Sequence, residues 1–573
     1  MSRGASAPMS LAGRLLFVGV FLLVAGSVLA YLIQTSGGTR ILDVRFAGTG
    51  GTLMSGLLFI PSTATPETPA PGILAVHGYF NSRETQGAFA VEFARRGYVV
   101  LALDQTGHGY SDAPAFVFGF GGPDGLRYLR SLDFVDGDNI GMEGHSMGGW
   151  AVVNAAASDP DGYRAVVLEG SSTGLPFAPE GTTEFPRNLA VVFAQFDEFS
   201  QVMWGVPTAR QVTRSEKLQR LFGTAEPVEP ERVYGSLQDG TARILYTPGG
   251  THPWNHLSKA AVGSAVEWFQ RTLRGGSARP PDDQVWQWKE LGTATAFVGF
   301  VVLLLGLVDL FLRLPYLAPL VEAPAAGVSR GGHWWAAFLT GALLPAVTMY
   351  PFFEFGSRIL PASGLLPQAF TNEIVIWAVL NALLVWVLGP LSGGVGPQRK
   401  VQWSRALVLA ILTFAAGYAV VVVVNAALHT DLRYWFFALK PMSMRQFGAF
   451  LAYLIPFSLF FIVVLRSLHA RLTLRDDSAL RQYVTSVVAL GGGFVVLLLA
   501  QYGRLFTDGQ LTEFFMNDPL RTVIAINFVP LMAIVGVVST FVFRRTATHV
   551  PGALLCAGVV AWYVVVGQAA QVG

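Results

Sequence analysis

A chain of 573 residues is longer than one compact domain needs, and with 52% hydrophobic and only 13% charged residues its composition is that of a membrane protein. A formal net charge of +2, without a long basic run, excludes nucleic acid as an expected partner. A single cysteine, Cys556, excludes an intrachain disulfide and any multi-cysteine metal site, and its apolar neighbourhood reads as packing.

Residues 1–14 carry Arg3 and Arg14 and lead into an uninterrupted apolar run over 15–33, which has about the ~20 residues needed to cross a bilayer. Val28-Leu29-Ala30 has the small-residue pattern of a leader cleavage site. The run is longer than a usual leader core, so residues 1–38 are expected to be an uncleaved signal anchor.

From 39 to 274 the chain alternates strands, turns and helices. Residues 40–47 and 53–60 read as an antiparallel pair, and 72–76 as an apolar strand ending at His77-Gly78-Tyr79-Phe80. A helix over 85–96, a strand over 98–104 and a helix over 124–133 follow, then a short strand into Gly144-His145-Ser146-Met147-Gly148-Gly149 and a helix after it. Two more apolar strands are expected at 163–168 and 188–194 and a last one at 243–246. Strands alternating with helices at this spacing imply a largely parallel sheet covered on both faces, with its site at the carboxyl ends of the strands.

Gly-x-Ser-x-Gly occurs three times, around Ser146, Ser172 and Ser329. Only Ser146 has a strand before it and a helix after it, the context that makes such a serine an exposed nucleophile. Together with His77-Gly78, Asp104 and Gly107-His108-Gly109-Tyr110-Ser111, and a late histidine, this order of motifs resembles the α/β-hydrolase family over residues 39–274. The resemblance implies a serine esterase or lipase-like domain with a Ser, acid, His order and with backbone N–H groups of Tyr79 and Met147 as an oxyanion hole. Asp104 and His108 belong to a loop that is more often structural in this family.

A serine hydroxyl needs an adjacent base, and the base needs a carboxylate to orient it. Of nine histidines, His252 and His256 alone follow Ser146, lie outside the expected spans and come just after the last expected strand. His252 is delivered directly by the turn 247–251 and is the expected base, with His256 as alternative. A His-x3-His metal pair lacks the Glu of a zinc-protease helix, so neither a metal nor a cofactor is expected. Asp197 closes the strand 189–194 and is the expected acid; Glu198, on the opposite face of an extended chain, and Glu169, at the end of the preceding strand, are alternatives.

Residues 275–290 form a polar linker that ends in Trp286 and Trp288, aromatics suited to a lipid surface. From 291 to 573 the chain is mostly apolar, with spans expected at 291–312, 334–352, 373–391, 404–428, 447–468, 483–501, 521–543 and 550–568. With the first span this makes nine crossings. Arg313, Arg330, Arg399, Lys400, Arg405, Arg466, Arg471, Arg475, Arg481, Arg544 and Arg545 fall on the N-terminal side, whereas the alternate loops carry more acidic or mixed charge. That bias predicts a multi-pass protein of a bacterial plasma membrane, N-terminus cytoplasmic, hydrolase domain and C-terminus outside. Asp309 and Asn381 are the notable polar residues inside spans.

The expected fold class is thus an α/β-hydrolase domain plus an all-α multi-span transmembrane domain. The expected function is extracytoplasmic cleavage of an ester or related acyl bond in a small-molecule or lipid-like substrate, in contact with membrane lipids. Phe177, Phe185, the segment 199–234 and the outward loops 353–370 and 432–446, with Phe355, Tyr434, Trp435, Phe436 and Phe437, are candidates to shape the acyl pocket. The same triad serves acyltransferases and peptidases, and a transporter or scaffold with a binding-only hydrolase domain is the reading from another class. Few charges inside the spans argue against an ion-coupled transporter.

Overall fold

The computed structural model describes residues 10–323, 327–389, 400–475, 477–513, 517–567 and 570–572. Arg3 and Arg399, and the expected span ends at 391 and 568, lie outside them. The chain opens with α1 (Leu11–Gln34), started by the Ser10 hydroxyl, which accepts the Gly13 N–H. The mixed region follows as β1 (Arg40–Ala47), β2 (Leu53–Ile60), β3 (Ala70–Val76), α2 (Gly87–Ala94), β4 (Val99–Asp104), α3 (Gly122–Arg130), β5 (Val135–His145) and α4 (Met147–Ser158). It continues with β6 (Ala165–Glu169), β7 (Leu189–Val192), α5 (Ser200–Trp204), α6 (Glu216–Phe222), β8 (Arg243–Tyr246) and α7 (Lys259–Thr272).

The eight strands form one sheet in the order β1-β2-β4-β3-β5-β6-β7-β8. The junctions β1–β2 and β2–β4 are antiparallel, and every later one is parallel. Helices cover both faces, so the middle strands are apolar throughout rather than alternating. In β3, Leu74 and Val76 enter the core on one face while Ile73 and Ala75 enter the core on the other. The parallel strands end together, and that edge carries His145, Glu169 and the loops after Val76, Val192 and Tyr246.

The helical region contains α8 (Trp286–Phe311), α9 (Gly332–Val347), α10 (Met349–Ile359), α11 (Ala369–Leu388) and α12 (Trp403–Leu428). A small hairpin of β9 (Leu432–Tyr434) and β10 (Phe437–Leu439) precedes α13 (Met444–Leu472), α14 (Ala479–Asp508), α15 (Pro519–Thr546) and α16 (Val550–Gly567). Among the described residues eight helices are long and apolar enough to cross a membrane, and a ninth crossing arises if α9 and α10 count as one. That pair is bent by 53° where the sequence predicts one straight span over 334–352. Pro345 and Pro351 explain the break: neither has an N–H for the turn before it. The freed chain turns at Thr348, whose hydroxyl takes the Leu344 carbonyl, and Trp377 Nε1 donates to the Pro345 carbonyl.

Helix α1 lies along α8 on a seam of glycines spaced seven apart, Gly19 and Gly26 against Gly292, Gly299 and Gly306. A Cβ on Gly26 would sit 2.5 Å from the Gly292 carbonyl and one on Gly19 2.6 Å from the Leu303 nitrogen, so the backbones touch. The two polar residues singled out within spans are both partnered: Asp309 pairs with Arg545 at 2.7 Å, and Asn381 Nδ2 donates to Thr348 Oγ1 at 3.0 Å.

The mixed domain rests on the bundle end that carries the β9–β10 hairpin and the chain ends of α14 and α15. Lys440 Nζ meets Glu84 at 3.1 Å, the Tyr110 hydroxyl donates to the Pro441 carbonyl at 2.8 Å, and Gln446 Nε2 donates to the Gly109 carbonyl at 2.8 Å. Past α16, Gln571 exchanges backbone hydrogen bonds with Gly107 and Ala115.

Candidate active site

Ser146 stands between β5 and α4 with φ 54° and ψ −122°, a strained conformation for a residue with a side chain. The surroundings fix it: its N–H donates to the Glu169 carbonyl at 2.8 Å, and its carbonyl accepts from the Gly149 N–H and from Ser171 Oγ. So tight a turn brings α4 onto the sheet, and a Cβ on Gly148 would run into the Val76 carbonyl. The loop after β3 lies against the nucleophile, since a Cβ on Gly78 would be 3.1 Å from Ser146 Cβ. Of the other two motif serines, Ser172 accepts from Lys217 Nζ at 3.1 Å and Ser329 lies between α8 and α9; neither has the strand and helix that frame Ser146.

His252 opens a short 3-10 turn, His252–Leu257, after β8. Its Nδ1 lies 2.9 Å from Asp197 Oδ2, both groups buried, and Asp197 Oδ1 accepts the Phe199 N–H at 2.9 Å. Burial alone would lower the pKa of His252, but the carboxylates of Asp197 and Glu198 outweigh it and hold the ring above its ordinary value. Ser146 and His252 line one cavity, and among the described residues no hydrogen bond joins Ser146 Oγ to the ring. Such contacts commonly tighten only when substrate binds.

The alternatives take other places. Glu198 does not point away from the site: the chain past β7 turns instead of running extended, with the Asp197 N–H donating to the Ala194 carbonyl, and Glu198 Oε2 accepts the His252 backbone N–H at 2.7 Å. Its other oxygen accepts from the Tyr502 hydroxyl of α14 at 2.7 Å. Burial and the neighbouring Asp197 push Glu198 up to about 7. Glu169 is buried with neither carboxyl oxygen hydrogen-bonded among the described residues, and burial followed by Glu143 drives it well above the carboxylate range. Among the described residues it is Asp197, not Glu169, whose carboxylate reaches the ring of His252. His256 lies in the 3-10 turn rather than in the final helix, its ring 4.0 Å from that of His145, and burial pushes it down to about 3. Among the described residues no three His, Cys, Asp or Glu side chains are grouped to hold a metal ion.

Tyr79 and Met147 line the same cavity as Ser146. Met147 is the first residue of α4, whose opening N–H groups have no acceptor within the helix. Asp104 accepts from the Arg83 and Tyr110 N–H groups and so ties those loops together.

The cavity is about 520 Å³. Phe116, Phe120, Trp150, Phe177 and Phe199 line it, and so do Phe436 from the β9–β10 turn and Asp518, Pro519, Leu520, Val523, Ile524 and Asn527 at the start of α15. Of the expected pocket aromatics Phe177, Phe199 and Phe436 are there, whereas Phe185, Phe355, Tyr434, Trp435 and Phe437 are not. Trp435 donates its indole N–H to the Pro253 carbonyl and Phe437 stacks on Tyr563 at 3.8 Å. Neither α15 nor Tyr502 carries a sequence signal tying it to the site, because α15 reads as a span and Tyr502 stands just past the expected end of another.

Residues 71–237 match the family model described as the alpha/beta hydrolase fold. A monoacylglycerol lipase from Mycolicibacterium smegmatis is 28% identical over 219 residues, 36% of this chain and 71% of the lipase. A bifunctional epoxide hydrolase from Sus scrofa is 23% identical over 279 residues, 46% of this chain and about half, 48%, of the relative. An esterase structure from Pyrococcus furiosus aligns at 17% identity over 41% of this chain and 91% of its own, with a TM-score of 0.31. The N-terminal part of this chain has the alpha/beta hydrolase fold, with a mostly parallel sheet, and is continued by a region of apolar helices.

Proposed function

We propose that the protein is a membrane-anchored serine hydrolase that cleaves a carboxylic ester through an acyl-serine intermediate, with its catalytic domain on the extracytoplasmic face. The observation that carries this reading is the buried 2.9 Å contact of Asp197 with His252, which lines one cavity together with Ser146. In the reaction His252 Nε2 takes the Ser146 Oγ proton as the oxygen attacks the ester carbonyl, and the Tyr79 and Met147 N–H groups donate to the oxyanion. Collapse of the tetrahedral intermediate expels the alcohol, which leaves with the proton from His252. Water, deprotonated by His252, then attacks the acyl-serine; the acid departs and Ser146 recovers its proton. Asp197 holds the ring in the tautomer with Nδ1 protonated and stabilises the imidazolium.

The similarity to a monoacylglycerol lipase, which runs over 71% of that enzyme, supports an ester substrate. The arginines clustered at the opposite end of the bundle, Arg313, Arg405, Arg471, Arg544 and Arg545 among them, support a cytoplasmic location for that end. A fluorophosphonate probe is expected to label the purified protein and to lose its target in Ser146→Ala; folded wild type that stays unlabelled would end the serine-hydrolase reading. For the orientation, protease added to intact cells is expected to cut within 275–283, and full protection there would reverse it.

A further inference from the structure

A catalytic cavity in an α/β domain would be complete with walls from that domain, yet here one wall belongs to a helix of membrane-spanning length. The first turns of α15 put Leu520, Val523 and Ile524 into the cavity that holds Ser146 and His252, facing the aromatics of the hydrolase domain. The placement of this wall is fixed by charge. Asp518 caps α15 by accepting the Arg521 N–H at 2.9 Å, and the Arg521 guanidinium is gripped by Asp518 at 2.8 Å, by Glu354 from the middle of α10 at 3.1 Å and by Glu373 near the start of α11 at 3.3 Å. Pro519 at the first position of the helix, where its missing N–H costs nothing, sharpens the entry.

The cavity's open side is apolar as well. Phe116, Phe177 and Val202 line it while remaining 42%, 45% and 57% exposed. Large apolar side chains left open beside a catalytic cavity mark a surface meant to meet something apolar, and here they stand at the junction with the helical bundle. The cavity volume of about 520 Å³ falls within the range of about 300–1,000 Å³ usual for small-ligand sites, and its polar groups are gathered near the serine and at the α15 cap, with Asn527, one turn beyond Val523, the polar residue on the wall itself.

We propose that α15 is the acyl-chain wall of the site, so that the enzyme takes long-chain acyl esters from the bilayer, with the chain lying between Val523 and Ile524 on one side and Phe120 and Trp150 on the other. The proposal rests on the serine-hydrolase reading. It makes the membrane region part of substrate selection, with the ester carbonyl at Ser146 and the chain directed along a helix that itself enters the lipid. Burying successive methylenes along such a wall is what discriminates chain lengths.

The test uses full-length protein in lipid nanodiscs with p-nitrophenyl esters from four to sixteen acyl carbons, each protein first titrated with a short fluorophosphonate that reports the fraction with a reactive Ser146. Wild type is expected to prefer long chains. Ile524→Trp and Val523→Trp are expected to lower the long-to-short ratio of kcat/KM by about tenfold or more, and Ile524→Ala, which cannot overfill the site, to move the optimum to longer chains. A ratio unmoved in all three labelled variants, or a wild type that hydrolyses only the shortest esters, would overturn the acyl-wall assignment while leaving the hydrolase intact. Absence of labelling in wild type would instead strike the hydrolase reading itself, and this one with it.

Discussion

The Tyr502 hydroxyl of α14 donates to Glu198 Oε1 at 2.7 Å, and through Glu198 it reaches the backbone N–H of His252. A helix long and apolar enough for the bilayer is therefore one hydrogen bond and one carboxylate away from the residue proposed as the base. The Tyr502 bond favours the ionised form of Glu198, and ionised Glu198 helps to hold His252 above its ordinary pKa. Tyr502→Phe is therefore expected to let Glu198 take a proton at higher pH and to weaken the support of His252. The acid limb of kcat/KM should move to lower pH, and kcat should fall roughly two- to tenfold, the usual worth of one hydrogen bond. A pH–rate profile of the variant identical to that of wild type would show that Glu198 does not act on the base.

Asp197 and Glu198 are neighbours in sequence and both touch His252, but only Asp197 touches the ring. Asp197→Asn should therefore cost about 10³- to 10⁴-fold in kcat, as expected when the orienting carboxylate is lost and the wrong tautomer appears. Glu198→Gln keeps an acceptor for the His252 N–H and should cost about tenfold at most. Equal losses in the two variants would mean that the pair shares the task, and the reverse order would exchange the roles.

Gly170 has φ 54°, and a Cβ there would stand 2.9 Å from His252 Nδ1, in the path of the ring's bond to Asp197. Gly170→Ala is expected to cost about 1–2 kcal/mol of stability for the left-handed conformation. It should also lower kcat by about tenfold or more as the ring is displaced. The measurements are thermal unfolding and steady-state kinetics on one preparation; a stability loss without a kinetic loss would show that the ring has room to move.

Ser146 and His252 are readable from sequence because their evidence is local or ordinal. A strand, a Gly-flanked serine and a helix are consecutive, and His252 is the first histidine after the last sheet strand. Glu198 is misread for a local reason as well: alternation assigns faces only while the chain is extended, and the sheet leaves off at Val192, five residues before Asp197. The contribution of α15 is invisible for a different reason. Val523 and Ser146 come to line one cavity only after the whole bundle has folded, and composition marks Val523 as a residue for lipid. The break at Thr348 lies between these cases, since Pro345 and Pro351 were in plain view but a continuous apolar run masked them.

Glu143 on β5 is buried and pushed up to about 8 by its burial, against the pull of Gln86 Nε2, which donates to both its oxygens. In the folded protein it therefore keeps a proton that the unfolded chain gives up near 4.5, the ordinary value. Its contribution is full below about 4.5 and is lost as pH rises to about 8, because the folded state there binds the extra proton. Glu143→Gln retains an acceptor for Gln86 and removes the titration. The Tm of wild type should fall more steeply than that of the variant between pH 5 and pH 8, by about a few degrees. Parallel curves would mean that Glu143 is ionised in the folded protein.

The glycine seam between α1 and α8 bears on whether the first apolar segment is an anchor or a leader. A leader is removed and has no reason to fit a partner helix, whereas here Gly299 lies so close to α1 that a Cβ would overlap the Leu23 nitrogen. Close backbone approach through small residues is how helices associate in lipid, where apolar burial offers little drive. Gly299→Leu should force the helices apart and cost about 1–3 kcal/mol or more, as overpacking does, while a substitution on the exposed face of α1, such as Phe21→Leu, should change little. The same logic predicts that an epitope tag placed at the N-terminus stays on the mature protein. Loss of the tag, with Gly299→Leu as stable as wild type, would show that the first segment is removed and that the α1–α8 pairing is not part of the working molecule.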